Sequence, residues 1–220
     1  VLRLTAFEAM ASIQDTLAVA SLLNGLQDRD SKVRLAAAYA IGQTARILSS
    51  PDPKISVRII NAVSKESDPA VVSELLKSLG KSADDTGLKF LSSYSTVDPD
   101  VMEGIAWGIY RAGLDGKSNS GLTRRAKMIL EGKYSMSARL AAAQFFARTE
   151  DLDFDMHSNL FLDIAKNEKY PEIRMAAVSS LGKLSADEVQ STLRSIMKRD
   201  SDYRVRVNAI DALSNFGGMK

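Results

Sequence analysis

The sequence has no cysteine, one histidine and one tryptophan. Without thiols there are no disulfides, no thiolate metal sites and no cysteine nucleophile. The redox compartment stays open, because a cysteine-free chain persists in oxidising and reducing surroundings alike. A lone His157 cannot build a histidine-based metal cluster, and no serine has the companions of a triad. Its place at the start of a helical stretch reads as a surface position. Large charge of one sign is also missing: the net charge is +2 at pH 7. That near-neutral balance argues against non-specific nucleic-acid or membrane binding as the main role. No run reaches the roughly 18 apolar residues that span a bilayer. Nor is there a sustained apolar–polar alternation of the kind strands require. Hydrophobic content of 45% with 25% charged residues is that of a folded chain, not a disordered one.

What is present is a helix-sized phrase that recurs. Val33-Arg34-Leu35-Ala36-Ala37-Ala38-Tyr39-Ala40-Ile41-Gly42 returns as Ile173-Arg174-Met175-Ala176-Ala177-Val178-Ser179-Ser180-Leu181-Gly182. Further copies start at Ala138-Arg139 and Val205-Arg206, and looser ones at Leu2, Val71 and Val101. With Arg34 as anchor, the equivalent residues are Arg3, Val72, Met102, Arg139, Arg174 and Arg206, at intervals of 31, 38, 30, 37, 35 and 32 residues. Such a period predicts a stacked array of two-helix units in which each phrase is the second helix. The 3.6 period places the first helices near 15–26, 53–63, 86–93, 122–130, 156–165 and 186–197. Asp68-Pro69 and Asp98-Pro99 set an oxygen-bearing cap before a proline in the first turn; Tyr170-Pro171-Glu172, Asp30-Ser31 and Ser201-Asp202 mark other starts. Gly42, Gly80 and Gly182 fall near helix ends, where close packing or termination explains them. The opening Val1-Leu2-Arg3-Leu4 is not a signal peptide. A chain that begins inside a repeat without an initiator Met reads as a piece of a longer protein, one array over 1–220.

Columns of this alignment divide into faces. The positions one before, four after and seven after the anchor are apolar in every unit, and are expected to be core: Leu2, Val33 and Val71 head the first, Phe7 to Ile210 form the second, Met10 to Leu213 the third. The position five after holds Glu8, Tyr39, Lys77, Trp107, Gln144, Ser179 and Asp211; nine after stand Ser12, Gln43, Lys81, Arg111, Arg148, Lys183 and Asn215. Spacing by four puts these two columns on one helix face. Tyr39, Lys77, Lys81, Trp107, Arg111, Gln144, Arg148 and Lys183 are the candidate binding residues, with the inner four of the second column all cationic. The anchor arginines are expected to register successive units by reaching an acid or helix end such as Asp30 or Asp202.

The Asp-Pro or Asp-x-x-Val-Arg lead followed by this phrase resembles HEAT-like repeats of the short bacterial and armadillo type. It is strongest at 28–42, 135–147 and 170–216 and diluted where Val72 and Met102 replace the arginine. The resemblance implies an all-α, right-handed α-solenoid of six to seven two-helix repeats, with second helices lining the concave side. It implies a non-catalytic scaffold that docks a protein or peptide, or another domain of the same chain, and needs no cofactor. Two other readings come with it. One is a DNA-binding repeat enzyme resembling alkylation-repair glycosylases, with Trp107 and the cationic column along a phosphate backbone; against it, the residue one turn after Trp107 is Arg111, where those enzymes offer a catalytic aspartate. The other is a regulatory array joined to a catalytic domain.

Two apparent motifs fail on spacing. Gly116-Lys117-Ser118 ends like a phosphate-binding loop, but Arg111 stands where its first glycine belongs. The stretch from Asp151 to Leu162 starts like a calcium loop but has Met156 and Leu162 at its sixth and twelfth positions. The basic run from Lys117 to Lys133, with Arg124, Arg125 and Lys127, falls on a first helix and reads as a solvated face.

Overall fold

The computed structural model describes residues 1–48, 50–82, 84–150 and 152–217. Among them the chain forms helices α1 (Leu2–Ile13), α2 (Val19–Gly25), α3 (Ser31–Ala45), α4 (Pro53–Val63), α5 (Pro69–Ser82), α6 (Asp85–Ser93) and α7 (Pro99–Leu114). They continue with α8 (Ser120–Glu131), α9 (Met136–Arg148), α10 (Ser158–Asn167), α11 (Pro171–Leu181), α12 (Asp187–Arg199) and α13 (Tyr203–Gly217). The described residues contain no strand. The expected first helices match α2, α4, α6, α8, α10 and α12, except that the starts of the first and fifth tighten into 3-10 turns at Thr16–Ala18 and Asp155–His157. Asp151 of the calcium-like stretch lies outside the described residues. None of the described helices is long and apolar enough to cross a membrane.

The chain divides into two compact units, Val1–Ala142 and Ala143–Lys220, with the division inside α9. In the first, α1, α3, α5 and α7 pack side by side in one layer, and α2, α4, α6 and α8 form the other. In the second, α11 packs on α13 and α10 on α12, and each phrase helix lies against its own first helix.

Local chemistry starts these helices where their backbone N–H groups lack partners. Asp30 accepts from the Lys32 N–H, Asp52 from Lys54, Asp84 from Gly87, and Asp98 from both Asp100 and Val101. Small residues then set how closely the phrase helices approach. Ala37, Ala38 and Ala40 of α3 are fully buried. A Cβ built on Gly42 would stand 2.5 Å from the Ser78 hydroxyl, and one on Gly104 would stand 2.5 Å from the Ser73 backbone. A Cβ on Gly80 would collide with the Gly108 carbonyl. These glycines are contact surfaces, and the Ser78 hydroxyl donates to the Ala38 carbonyl at 2.7 Å across the same seam.

Apolar columns are buried as expected through the inner helices: Val33, Val71, Ala138 and Val205 in one, Ala38, Leu76 and Val178 in another, Ile41, Leu79, Phe146 and Leu181 in the third. Members on the two end helices depart from that expectation. Leu2 is 88% and Ile210 52% exposed, and Phe7, Met10 and Leu213 are half-buried. They sit on α1 and α13, each of which packs against a phrase helix on one side only.

The arginine column does register units, through partners other than those expected. Arg34 makes a two-pronged pair with Glu66, at 2.6 and 2.8 Å, and also donates to the Asp28 carbonyl. Arg174 repeats the arrangement with Asp200 and the Glu168 carbonyl. Arg3 pairs with Asp28, and Arg206 donates to the Asp200 carbonyl. The acid therefore stands two residues before the helix cap, and it also accepts the cap's own N–H: Asp30 to Asp28, Asp68 to Glu66, Asp202 to Asp200. Asp30 and Asp202 instead cap the helix starts, accepting the Lys32 and Arg204 N–H groups. Where the anchor is Val72, the acid's position is taken by Thr96, whose hydroxyl still accepts the Asp98 N–H. At Met102 the basic first-helix run supplies a substitute: Arg125 reaches the Tyr94 carbonyl at 2.9 Å and is half-buried instead of solvated.

His157 is likewise not a surface residue. Its ring packs edge-on against Phe146 and Phe161, with centroids 5.4 and 6.2 Å away.

Candidate functional site

In the first unit the two variable columns line a groove between α1 and α3. Its volume is about 660 Å³, and its walls include Leu4, Glu8, Ser12, Leu35, Tyr39 and Gln43. These are the positions one, five and nine after the anchor, the free face of the phrase helices. Tyr39 is 44% exposed and forms the wall that continues toward α5.

Beyond Tyr39 lies a cluster of charge. The Lys81 ammonium sits 5.0 Å from the centre of the Tyr39 ring. Lys81 is only 8% exposed, yet it makes no hydrogen bond and no ion pair among the described residues. Burial lowers its proton affinity, and repulsion from Arg111, Arg46 and Lys77 lowers it further against the attraction of Glu74. Glu74 is pushed the other way: burial raises its pKa, opposed by Lys77, 3.7 Å away, and by Lys81 and Arg111. Asp115, at the end of α7, is also raised by burial despite Arg46, Arg111 and Lys117. Five cations thus lie about two carboxylates, and burial raises the pKa of both carboxylates.

Trp107 and Arg111 flank this cluster on α7. The indole N–H donates to the Ser137 hydroxyl at 3.0 Å, and the ring meets Tyr110 edge-on at 5.4 Å. Trp107 is half-buried, so part of its ring packs and part faces outward. Arg111 lies over the Tyr110 ring at 5.5 Å. After α7, Gly116 adopts φ 70° and the Lys117 N–H returns to the Ala112 carbonyl, closing the helix with a left-handed residue. The Gly-Lys-Ser stretch is that turn.

In the second unit the same columns hold Gln144, Arg148 and Lys183. Gln144 is half-buried and Arg148 exposed. Lys183 has a structural occupation: its ammonium donates to the Thr149 and Phe146 carbonyls at 2.7 and 3.3 Å and lies 4.7 Å from the Phe154 ring. It closes the carbonyl end of α9.

Arg46, Glu74 and Tyr110 lie outside the two variable columns. Glu74 stands two after the anchor, where Ala36, Gly104, Ala141 and Ala176 are small residues. Arg46 lies beyond the end of the phrase. The signal for Glu74 in the sequence is its spacing of one turn from Lys77.

The HEAT repeat family profile matches residues 18–48, and the HEAT repeats profile matches residues 158–220. HEAT repeats are thus recognised in two segments of the chain. Its fold is that of an archaeal HEAT-like repeats protein from Thermococcus onnurineus NA1, with TM-score 0.58 at 15% identity, covering 96% of this chain and 92% of that one. A designed armadillo repeat protein is similar at TM-score 0.50 and 14% identity, covering 97% and 92% of the two chains. Human deoxyhypusine hydroxylase in complex with glycerol aligns at TM-score 0.44 and 15% identity, over 98% and 79%, too remote to bear on the site. No curated protein matches the sequence.

Proposed function

We propose that this HEAT-like array is a non-catalytic docking module that receives a protein or peptide on the free face of its phrase helices. The observation that carries the reading is Lys81. Its side chain is largely buried and burial lowers its proton affinity, and groups perturbed in this way concentrate at functional sites. The adjoining groove and the half-exposed Tyr39 and Trp107 add the aromatic anchors on which interfaces concentrate binding energy. Tyr39, Lys77, Lys81, Trp107 and Arg111 form the face in the first unit, and Gln144 and Arg148 its counterpart in the second.

The test is position-dependent crosslinking. A benzoylphenylalanine in place of Gln43 on α3 or Ser179 on α11 is expected to capture protein partners from a lysate of the cell that encodes the chain. The same group in place of Met128 on α8 is expected to capture none. Crosslinks confined to Met128, or none at any position, would sink the reading.

A further inference from the structure

The charge around Lys81 narrows what the docked segment carries. Resting on the docking reading above, we infer that Lys81, Lys77 and Arg111 form an anchor for an acidic side chain of the partner peptide, entering beside Tyr39. Three features of the site converge on that chemistry. The Lys81 side chain is largely buried, 8% exposed as a residue, and its ammonium faces the Tyr39 ring at 5.0 Å with no hydrogen bond to an oxygen among the described residues. Arg111, Arg46 and Lys77 act on it as like charges, and the one carboxylate that acts on it, Glu74, is itself raised in pKa by burial and paired with Lys77 at 3.7 Å. The third feature is a contrast. Lys183 occupies the same column and is satisfied by two carbonyls from the preceding phrase helix, whereas Lys81 has no such carbonyl.

An incoming carboxylate would supply the missing acceptor. It would bond Lys81 at the bottom and Lys77 or Arg111 at the rim, as charge-assisted hydrogen bonds that are stronger than neutral ones. A carboxylate suits the site better than a nucleic-acid backbone. The cationic residues are clustered about one buried point on α5, not strung at phosphate spacing along a surface, and the net charge of the chain is only +2. The groove on the other side of Tyr39 gives an apolar neighbour of that acid room to lie.

Fluorescence anisotropy with labelled hexaglutamate tests the anchor, with hexaglutamine as the neutral control. The chain is expected to bind hexaglutamate in a salt-sensitive manner and hexaglutamine not at all. Lys81→Met and Arg111→Gln should each weaken binding by on the order of tenfold, and Arg124→Gln on the far layer should leave it unchanged. Thermal melting of Lys81→Met shows that the variant is folded, since its Tm should not fall. Equal binding by wild type and Lys81→Met, no binding of hexaglutamate, or displacement of the peptide by a single-stranded oligothymidine at lower concentration than by unlabelled peptide would each overturn the inference. The last outcome would make the site a phosphate reader. The two readings fail separately: crosslinking from Gln43 that survives Lys81→Met overturns the acid anchor and leaves docking, while loss of position dependence overturns docking itself.

Discussion

Lys81 and Lys183 hold the same position of their repeats and live in different chemistry. Lys183 is a helix-end cap, and its loss would leave the Phe146 and Thr149 carbonyls without their donor. Lys81 caps no helix and meets the Tyr39 ring instead. Its folded-state pKa is lowered, first by burial, so the folded chain binds its proton less well than the unfolded chain does. Stability is therefore reduced at neutral pH, and the penalty disappears as pH rises toward the ordinary lysine value of 10.5. Lys81→Met is expected to stabilise the protein at pH 7 and to do so less at pH 10, read by urea unfolding at both pH values. Glu66 behaves in the opposite sense. The Arg34 guanidinium and the Ser67 and Asp68 N–H groups hold its pKa below the ordinary value of 4.5. Its contribution is complete above that value and is lost as pH falls through the lowered one. Glu66→Gln should lower stability by about 1–3 kcal/mol at pH 7, and the difference from wild type should shrink on acidification below pH 4.

The helices themselves test how far local rules reach. Their starts were legible because capping is a short-range matter: Asp98 and Pro99 announce α7 in two residues. Asp98→Ala, which frees the Asp100 and Val101 N–H groups, is expected to cost about 1 kcal/mol in thermal or urea unfolding. Gly80 shows where local rules give the wrong sign. In an isolated helix Gly→Ala gains about 1 kcal/mol. In α5 the added methyl would meet the Gly108 backbone, so Gly80→Ala should instead destabilise by about 1–3 kcal/mol. The sequence marked Gly80 as a close-packing residue but could not name Gly108 as its neighbour. The registering acids had a signal that went unread. Asp28, Glu66 and Asp200 each stand two residues before a cap, and the acid is missing before Asp98, the cap after Val72.

Across each unit, protection should follow burial and not helix propensity. α1 buries only Ala11, whereas α5 buries ten of its residues, including Leu75, Leu76 and Leu79. Native-state hydrogen exchange is expected to find α1 amides opening at low free energy while α5 and α7 amides exchange last. Comparable protection in α1 and α5 would contradict that ordering. The repeated phrase determined the helices, their caps and the apolar columns, because each depends on residues within a turn or two along the chain. It also marked the face on which a site could form. Which cation of that face remains unsatisfied was decided by packing. An ammonium is spent when carbonyls of a neighbouring helix come within about 3 Å, as they do for Lys183. For Lys81 the neighbours are an aromatic ring, the Glu74 carboxylate and other cations, and no carbonyl accepts from it. Identical spacing along the chain cannot distinguish the two, since the distance that matters runs between helices.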